Sequence, residues 1–287
     1  MSADRPPPRQ PPSVEPLATG RYGGLAGGAN RPTAGGGKRG MPRLRDDVKD
    51  FLRFVRRPTL RRLPPHDAGN GLDADWVPQT TLRRVLAWVV ILWTFNLLVL
   101  GPLALKVATM GGAHHRLESG NIPWMIAIFW APLVEEMVFR YFLRRPGQAW
   151  WMVPAMLAAM LKGPNVWTLP LAALAIVASV WTLQRAQQAG HRWSWGWRRR
   201  YVRLFPLVFH VASLTFAALH LGNYTLNHTL IWLMPVLVLP QWLTGLVLGW
   251  MRVRRGIGAS VLMHMMFNAG PVLLVLALVK WAPALAS

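Results

Sequence analysis

The chain has 287 residues, of which 53% are hydrophobic, and its mean hydropathy is +0.26. Several apolar runs reach about 20 residues, enough to cross a hydrocarbon core of about 30 Å, so a soluble globular protein is excluded. The sequence has no cysteine, which excludes disulfides, thiolate nucleophiles and thiolate metal sites.

The N-terminal region begins with a segment of low complexity. Residues 1–40 are rich in Pro and Gly and carry almost no large apolar side chains. They cannot bury enough surface to offset the entropy of ordering, so we predict disorder. The segment also lacks the continuous apolar core of a secretory signal.

The next segment, residues 42–62, has the pattern of an amphipathic helix. Its apolar side chains fall at helical spacing among basic ones: Leu44, Val48, Phe51, Leu52 and Val55. This pattern suits a helix lying on an anionic membrane surface, and a linker with some helical character suits it equally. Residues 63–80 read as a loop. We therefore expect residues 1–80 to form a basic cytoplasmic segment and residues 81–287 to form a polytopic domain.

The remaining sequence predicts an all-α membrane protein, a bundle of about seven transmembrane helices (six to eight) around a buried polar active site. The predicted spans are residues 85–105, 123–143, 149–161, 166–183, 204–221, 229–251 and 257–280. The third span is short, and the Lys162–Asn165 turn joins it to the fourth as a tight hairpin. This hairpin could equally be a re-entrant unit.

The distribution of basic residues predicts the orientation. With seven spans and the N-terminus inside, 27 of the 32 Lys and Arg residues lie on the inner side, as the positive-inside rule expects. Most of the net charge of +21 is then topological, and we expect the lipid bilayer as partner and no nucleic acid. Tryptophans near the predicted interfaces fit an aromatic belt: Trp150, Trp151, Trp193, Trp195 and Trp197. We expect an integral protein of a bacterial inner membrane.

Two adjacent carboxylates, Glu135 and Glu136, lie in the middle of the second span. A charge near the bilayer centre is costly by about 3 kcal/mol or more, so such a residue is by default a functional hypothesis. Glu136 and Arg140 are four residues apart and share a helix face, so we expect them to pair. Glu135 points about 100° away and needs a partner from another helix. The alternative is a structural ion pair.

Two later spans also carry polar groups. His220 follows Phe216 by one turn in the fifth span, and His264 precedes Asn268 by one turn in the seventh. Such groups would be expensive facing lipid and favourable facing one another. His210 reads as a packing residue. We assign no function to the histidines of the outer loops and interfaces: His114, His115 and His228.

Together these motifs resemble the signature of a known family. Glu-Glu-x-x-x-Arg, Phe-x-x-x-His and His-x-x-x-Asn, in this order, are similar to the three motifs of the CPBP family. This family comprises the type II CAAX prenyl endopeptidases and the bacteriocin-processing or immunity (Abi-like) proteins. The similarity covers roughly residues 120–145 and 200–275. The chain departs from it at Tyr141, where many members have Gly, and in the extra hairpin over residues 149–183.

The residue types suit hydrolysis of a peptide bond, which needs an activated water and donors for the oxyanion. Glu135 in a low-dielectric pocket suits the general base, with His220 holding and polarising the same water. His264 and Asn268 suit the oxyanion hole. The remaining motif residues, Glu136, Arg140 and Phe216, would support the site. The resemblance implies the same division of labour.

The cofactor stays open at this point. Glu135, His220 and His264 could complete a zinc site of the His₂Glu type, and the family is often called a metalloprotease family. However, the sequence has no His-Glu-x-x-His motif, and a metal-free mechanism that depends on glutamate suits the same residues.

We therefore predict an intramembrane endopeptidase that acts on a peptide or membrane-anchored substrate. One alternative is a non-catalytic immunity or accessory protein on the same scaffold. A second is a proton-coupled transporter, because Glu and His residues at the midplane also build proton relays. The residues identify neither a prenyl pocket nor an oligomeric state.

Overall fold

The computed structural model describes residues 43–63, 71–116, 123–188, 195–226 and 230–281. The predicted disorder of residues 1–40, and the residues Trp193 and His228, lie outside these ranges. The helices of the described part are α1 (Leu44–Arg56), α2 (Leu72–Trp76), α3 (Leu82–Phe95), α4 (Gly101–Gly111), α5 (Ala131–Phe139), α6 (Ala149–Lys162), α7 (Thr168–Gln188), α8 (Trp195–Leu219), α9 (Met234–Leu237), α10 (Leu239–Arg255) and α11 (Ile257–Trp281). Two short strands, β1 (Ala113–His115) and β2 (Tyr224–Leu226), pair antiparallel.

Wide helical turns join some of these helices into longer units. The π-helical turn Asn96–Leu100 connects α3 to α4, and the π-helical turn Ile126–Trp130 leads into α5. Four helical stretches of the described chain are long and apolar enough to cross a membrane: Leu82–Gly111, Thr168–Gln188, Trp195–Asn223 and Ile257–Trp281. The protein is thus a polytopic all-α membrane protein.

The other three predicted spans fall on shorter helices, α5 with its preceding turn, α6 and α10. The expected number of seven crossings therefore stays a prediction. The hairpin expected over residues 149–183 is present as α6 and α7, whose connection turns at Gly163 with a φ of 65°. Whether this hairpin crosses the membrane or re-enters also stays a prediction.

In the second predicted span, residues 123–143, the helix ends before the apolar run of the sequence does. Helix α5 stops at Phe139, and Arg140 adopts a φ of −128° outside the helical region. A 3₁₀ turn, Tyr141–Leu143, follows. The last carbonyls of a helix need partners from elsewhere, and here side chains of other helices provide them. Arg252 donates to the Arg140 carbonyl at 3.1 Å.

Helix α1 is present as predicted, but its apolar face contacts the protein. Phe51 packs against Trp88 and Trp250, with ring centroids 5.5 and 5.9 Å apart, and Phe54 packs against Phe209 at 4.9 Å. Part of its apolar face is therefore covered by protein, and its placement on a membrane surface stays a prediction. A lipid tail and a protein core are both apolar surroundings, so the pattern of the sequence does not distinguish them.

The loop predicted over residues 63–80 is wrong at α2. This helix packs against the start of α11, where two glycines leave room for its backbone. A Cβ atom at Gly256 would lie 2.6 Å from the Asp75 carbonyl oxygen, and one at Gly258 would lie 1.9 Å from that of Trp76. Asp75, which α2 carries, is fully buried.

Three apolar clusters of the described residues hold the helices together, the smallest of which joins α4 to α9. One of the larger two contains Trp88 of α3, Phe209 of α8 and Trp250 of α10. The other contains Met137 of α5 and Met156 of α6. Polar residues of α5 and α11 contact one another across these helices.

Candidate active site

The Glu135 helix enters the site through the π-helical turn. In this turn the Ala131 N–H donates to the Ile126 carbonyl, five residues back. Continuing this spacing would pair Pro132 with the Ala127 carbonyl, but proline has no N–H. The Asn268 side chain of α11 provides the missing donor, with Nδ2 at 2.9 Å from the Ala127 oxygen. Asn268 therefore joins α11 to the start of the Glu135 helix.

Glu136 is the fully buried member of the glutamate pair. Its Oε1 accepts from Arg140 Nη1 at 2.6 Å and lies 2.9 Å from His264 Nδ1. Its Oε2 accepts from the Ser260 hydroxyl, which also contacts the Leu248 carbonyl. The Glu136–Arg140 pair expected from the spacing is thus present. Because every contact of Glu136 is to protein, this carboxylate holds α5 and α11 together.

Glu135 has a different environment. Its side chain is 18% exposed, and its Oε2 lies 3.6 Å from His264 Nε2. The partner that Glu135 required from another helix is therefore His264 of α11. A carboxylate oxygen can only accept, so the Nδ1 atom of His264, next to Glu136, carries a hydrogen. The imidazole of His264 thus lies between the two glutamates.

His220 approaches from the end of α8. Its Nδ1 lies 2.8 Å from the Phe216 carbonyl oxygen, so Nδ1 is the protonated nitrogen. The neutral ring then presents the lone pair of Nε2. Both histidine rings contact the Phe216 ring, with centroids 4.6 Å away for His220 and 6.0 Å away for His264. The Arg140 guanidinium lies 4.0 Å from the centroid of the same ring.

The structure thus brings six of the seven expected residues into one cluster: Glu135, Glu136, Arg140, Phe216, His220 and His264. The seventh, Asn268, lies one turn further along α11 and contacts the π-helical turn. His210 is outside this cluster and contacts the Val55 carbonyl at 3.0 Å, which fits its expected packing role. His114 is exposed on β1.

The sequence matches one known protein family. The family model described as type II CAAX prenyl endopeptidase, Rce1-like, matches residues 118–270. The chain belongs to this family. The match covers all three motifs and confirms the resemblance to the CPBP proteins, an integral membrane class whose Rce1-like branch is a family of proteases. No curated protein and no solved structure matches the chain.

The two departures from the CPBP pattern contact each other. Tyr141 is fully buried, and its hydroxyl donates to Gln148 Oε1 at 2.5 Å, just before α6. Gln148 Nε2 donates in turn to Thr182 Oγ1 of α7 at 2.6 Å. The tyrosine that replaces the common glycine therefore anchors the extra hairpin to the end of the Glu135 helix.

The distances in the structure do not support the zinc site considered for this CPBP member. Within the described part of the chain, no group of three His, Asp or Glu side chains could hold a metal ion. The Nδ1 atoms of His264 and His220 are occupied by Glu136 and the Phe216 carbonyl, so only the two Nε2 atoms and Glu135 are left as donors. No reaction step is assigned to a metal.

Two features of the site were not predicted. Ser260 precedes His264 by four residues, so the helical spacing that identified Asn268 could have identified it too. Helical spacing could not predict the contact of Asp75 with Arg252, because the two residues are far apart in the sequence and share no local pattern.

Proposed function

We propose that this protein is an intramembrane endopeptidase that hydrolyses a peptide bond with water activated by Glu135. The observation that carries the proposal is the 3.6 Å separation between Glu135 Oε2 and His264 Nε2, with Glu135 partly exposed beside a buried network. A water molecule can donate to an oxygen and bond a nitrogen at this separation at the same time. The family's protease character supports the same reaction class.

Arg140 carries the counter-charge of Glu136 inside the cluster, at 2.6 Å, so this buried pair is neutral. In the proposed reaction His264 donates through both ring nitrogens, Nδ1 toward Glu136 and Nε2 toward the reacting groups.

The proposed reaction uses Glu135 as base and proton carrier. Glu135 takes a proton from water, and the hydroxide attacks the carbonyl carbon of the scissile bond. The carbonyl electrons move to oxygen, and the oxyanion accepts hydrogen bonds from His264 and from the second amide hydrogen of Asn268. When the C–N bond breaks, the proton on Glu135 passes to the leaving amine. The Nε2 lone pair of His220 holds the water by accepting its other hydrogen.

Glu136, Arg140 and Phe216 act on the orientation of these groups. Glu136 fixes the imidazole of His264, and Arg140 neutralises Glu136 while lying over the Phe216 ring. Phe216 also contacts both histidine rings. These contacts would keep the reacting groups aligned before substrate arrives.

The substrate is proposed to be a peptide or membrane-anchored protein. The family name makes prenylated CAAX peptides the first substrates to test. Residence in a bacterial inner membrane with a cytoplasmic N-terminus also remains a proposal.

The proposal is tested by comparing the membrane proteomes of cells that carry wild type or the Glu135→Gln variant. Peptides with new termini should appear with wild type and be absent with the variant, while a His210→Gln control should match wild type. Identical sets of termini would favour a non-catalytic scaffold. Proton-coupled flux in proteoliposomes under a pH gradient would instead favour a transporter.

A further inference from the structure

The last turn of α10 is tied to the N-terminal segment by a row of ion pairs. We call this segment, residues 43–63 and 71–76, the strap; it lies outside the range that the family model matches. The pairs are Arg252–Asp75, Arg254–Asp50 and Arg255–Asp47, with nitrogen–oxygen distances of 2.6, 2.8 and 3.1 Å. All three arginines are buried. The strap therefore supplies the counter-charges for the basic end of α10.

The Asp75–Arg252 pair extends to the Glu135 helix. Arg252 uses Nη1 for Asp75, Nε for the Arg140 carbonyl at 3.1 Å and Nη2 for the Tyr141 carbonyl at 3.0 Å. These carbonyls belong to the break that ends α5, one turn after Glu136. A guanidinium has its donors in a rigid fork, so fixing one edge on a carboxylate also fixes the others.

Two further arginines hold the Asp75 carboxylate in place. Arg62 Nη2 and Arg145 Nε each lie 2.7 Å from it. The backbone of α2 is equally constrained, because Gly256 and Gly258 allow its carbonyls to approach where no side chain would fit. Asp75 is therefore a fixed point against which Arg252 is aligned.

We propose that Asp75 is a positioning residue for the Glu135 site and that it acts through Arg252. The strap aligns Arg252, Arg252 holds the carbonyls of Arg140 and Tyr141, and these carbonyls set where the Glu135–Glu136 turn ends. This inference rests on the proposed peptidase function for its kinetic consequence. Its structural consequence, order in the turn after α5, is independent of that function.

The chain offers a matched control for Asp75. Asp50 also ties the strap to α10, and it accepts from Arg254 and from the Trp250 indole at 2.9 Å. Arg254 also donates to the Thr59 and Arg61 carbonyls of the strap. Loss of Asp50 therefore weakens the same attachment without releasing the carbonyls after α5.

The test compares Asp75→Asn with Asp50→Asn in purified protein in proteoliposomes. We expect Asp75→Asn to lower kcat by up to about 100-fold with KM little changed, because a misplacement of about 1 Å at a reacting group has that effect. Asp50→Asn should keep the kcat of wild type even if its thermal stability falls. Equal kcat for Asp75→Asn and wild type would overturn the proposal, as would equal losses in both variants.

Two further variants test the same link without removing the Asp75 carboxylate. Arg252→Lys keeps the charge facing Asp75 but lacks the fork that reaches both carbonyls. Gly258→Ala changes no charge and pushes α2 away from α11. Each should reproduce the selective loss of kcat, and wild-type kcat in both would overturn the proposal.

Hydrogen exchange separates failure of this inference from failure of the proposed function. The amides of Leu143 and Arg144 donate to the Arg140 and Tyr141 carbonyls that Arg252 holds. Arg252→Lys should speed their exchange, whereas Asp50→Asn should not. This readout holds even for a chain without peptidase activity, and unchanged exchange in Arg252→Lys would contradict the positioning role.

Discussion

His264 Nε2 lies 3.6 Å from Oε2 of Glu135, and the opposite nitrogen of the same ring faces Glu136 at 2.9 Å. The two adjacent glutamates therefore contact opposite sides of one imidazole ring. Glu135 is partly exposed, while Glu136 is enclosed by Arg140 and Ser260. The two glutamates of this dipeptide therefore have different environments, and we propose catalysis for Glu135 and a structural role for Glu136.

The first prediction is that the two glutamates differ in their effect on stability. Glu136→Gln leaves the buried guanidinium of Arg140 without its counter-charge, so we expect a loss of about 3–5 kcal/mol in the free energy of unfolding. Glu135→Gln removes a longer and partly exposed contact and should cost less than about 1 kcal/mol. Denaturant unfolding in detergent micelles measures both. Equal losses would contradict the division.

The second prediction concerns the carbonyl that Pro132 cannot pair. Asn268→Ala leaves the Ala127 carbonyl without its donor and should cost about 1 kcal/mol of stability. Pro132→Ala restores a backbone N–H in the turn, so the same Asn268→Ala change should cost less in that background. Additive losses in this double-mutant cycle would show that Asn268 does not serve this carbonyl.

The sequence could predict the local part of the site. Glu136 with Arg140 and Phe216 with His220 are each four residues apart, and helical periodicity alone brings such residues onto one face. Periodicity does not predict where a helix ends inside an apolar run. The break at Arg140 depends on Arg252, which reaches it through the fold and is aligned by Asp75.

The sequence could not predict whether the apolar face of α1 contacts lipid or protein, for a different reason. Its apolar stripe has the same pattern whether it contacts lipid or protein, since both are apolar surroundings. Phe54 became a core residue because Phe209 lies opposite it. Leu52, on the other side of the stripe, remains 54% exposed.

The third prediction concerns the anchor of the extra hairpin. Tyr141→Phe removes the hydroxyl that donates to Gln148, and we expect a loss of about 1 kcal/mol in the free energy of unfolding. Gln148→Ala removes the same bond from the other side, so the two changes should be less than additive. Measured losses that simply add would contradict a shared bond.

The fourth prediction is a pH dependence that originates at Asp75, in α2 outside the membrane-crossing helices. Burial raises the pKa of its carboxyl, but Arg252, Arg145 and Arg62 together lower it more, so the pKa lies below its ordinary value of 3.8. The unfolded chain then binds the proton more readily than the folded one. The resulting stabilisation is complete above pH 3.8 and is lost as the pH falls below it.

This dependence can be measured by denaturant unfolding between about pH 2 and pH 6. Wild type should lose stability as the pH falls through the lower part of this range. Arg145→Gln removes one of the cations that lower the pKa, so its stability should fall less steeply. The other carboxyls contribute to both proteins alike, and parallel curves would contradict the role assigned to Asp75.

The fifth prediction concerns a close contact between α3 and α11. A Cβ atom at Gly270 would lie 1.9 Å from the Trp93 ring, whose indole nitrogen donates to the Phe267 carbonyl at 3.0 Å. Pro271 lacks the N–H that would otherwise pair with that carbonyl. Gly270→Ala should therefore cost about 1–3 kcal/mol of stability.

Gly196 on α8 is the matched control, because an added Cβ would meet no atom within 4 Å. Gly196→Ala should leave stability unchanged or raise it by up to about 1 kcal/mol. Gly270→Ala should lower the melting temperature, whereas Gly196→Ala should leave it unchanged or raise it. A Gly270→Ala protein as stable as the control would rule out the tight contact.

The most direct test of the proposed chemistry is the turnover of prenylated and unprenylated peptides by purified protein in proteoliposomes, with wild type and Glu135→Gln side by side. Loss of a general base predicts a fall in kcat of about 100- to 10,000-fold in a variant that remains folded. Wild-type turnover in folded Glu135→Gln would contradict the assignment of Glu135 as the residue that activates water.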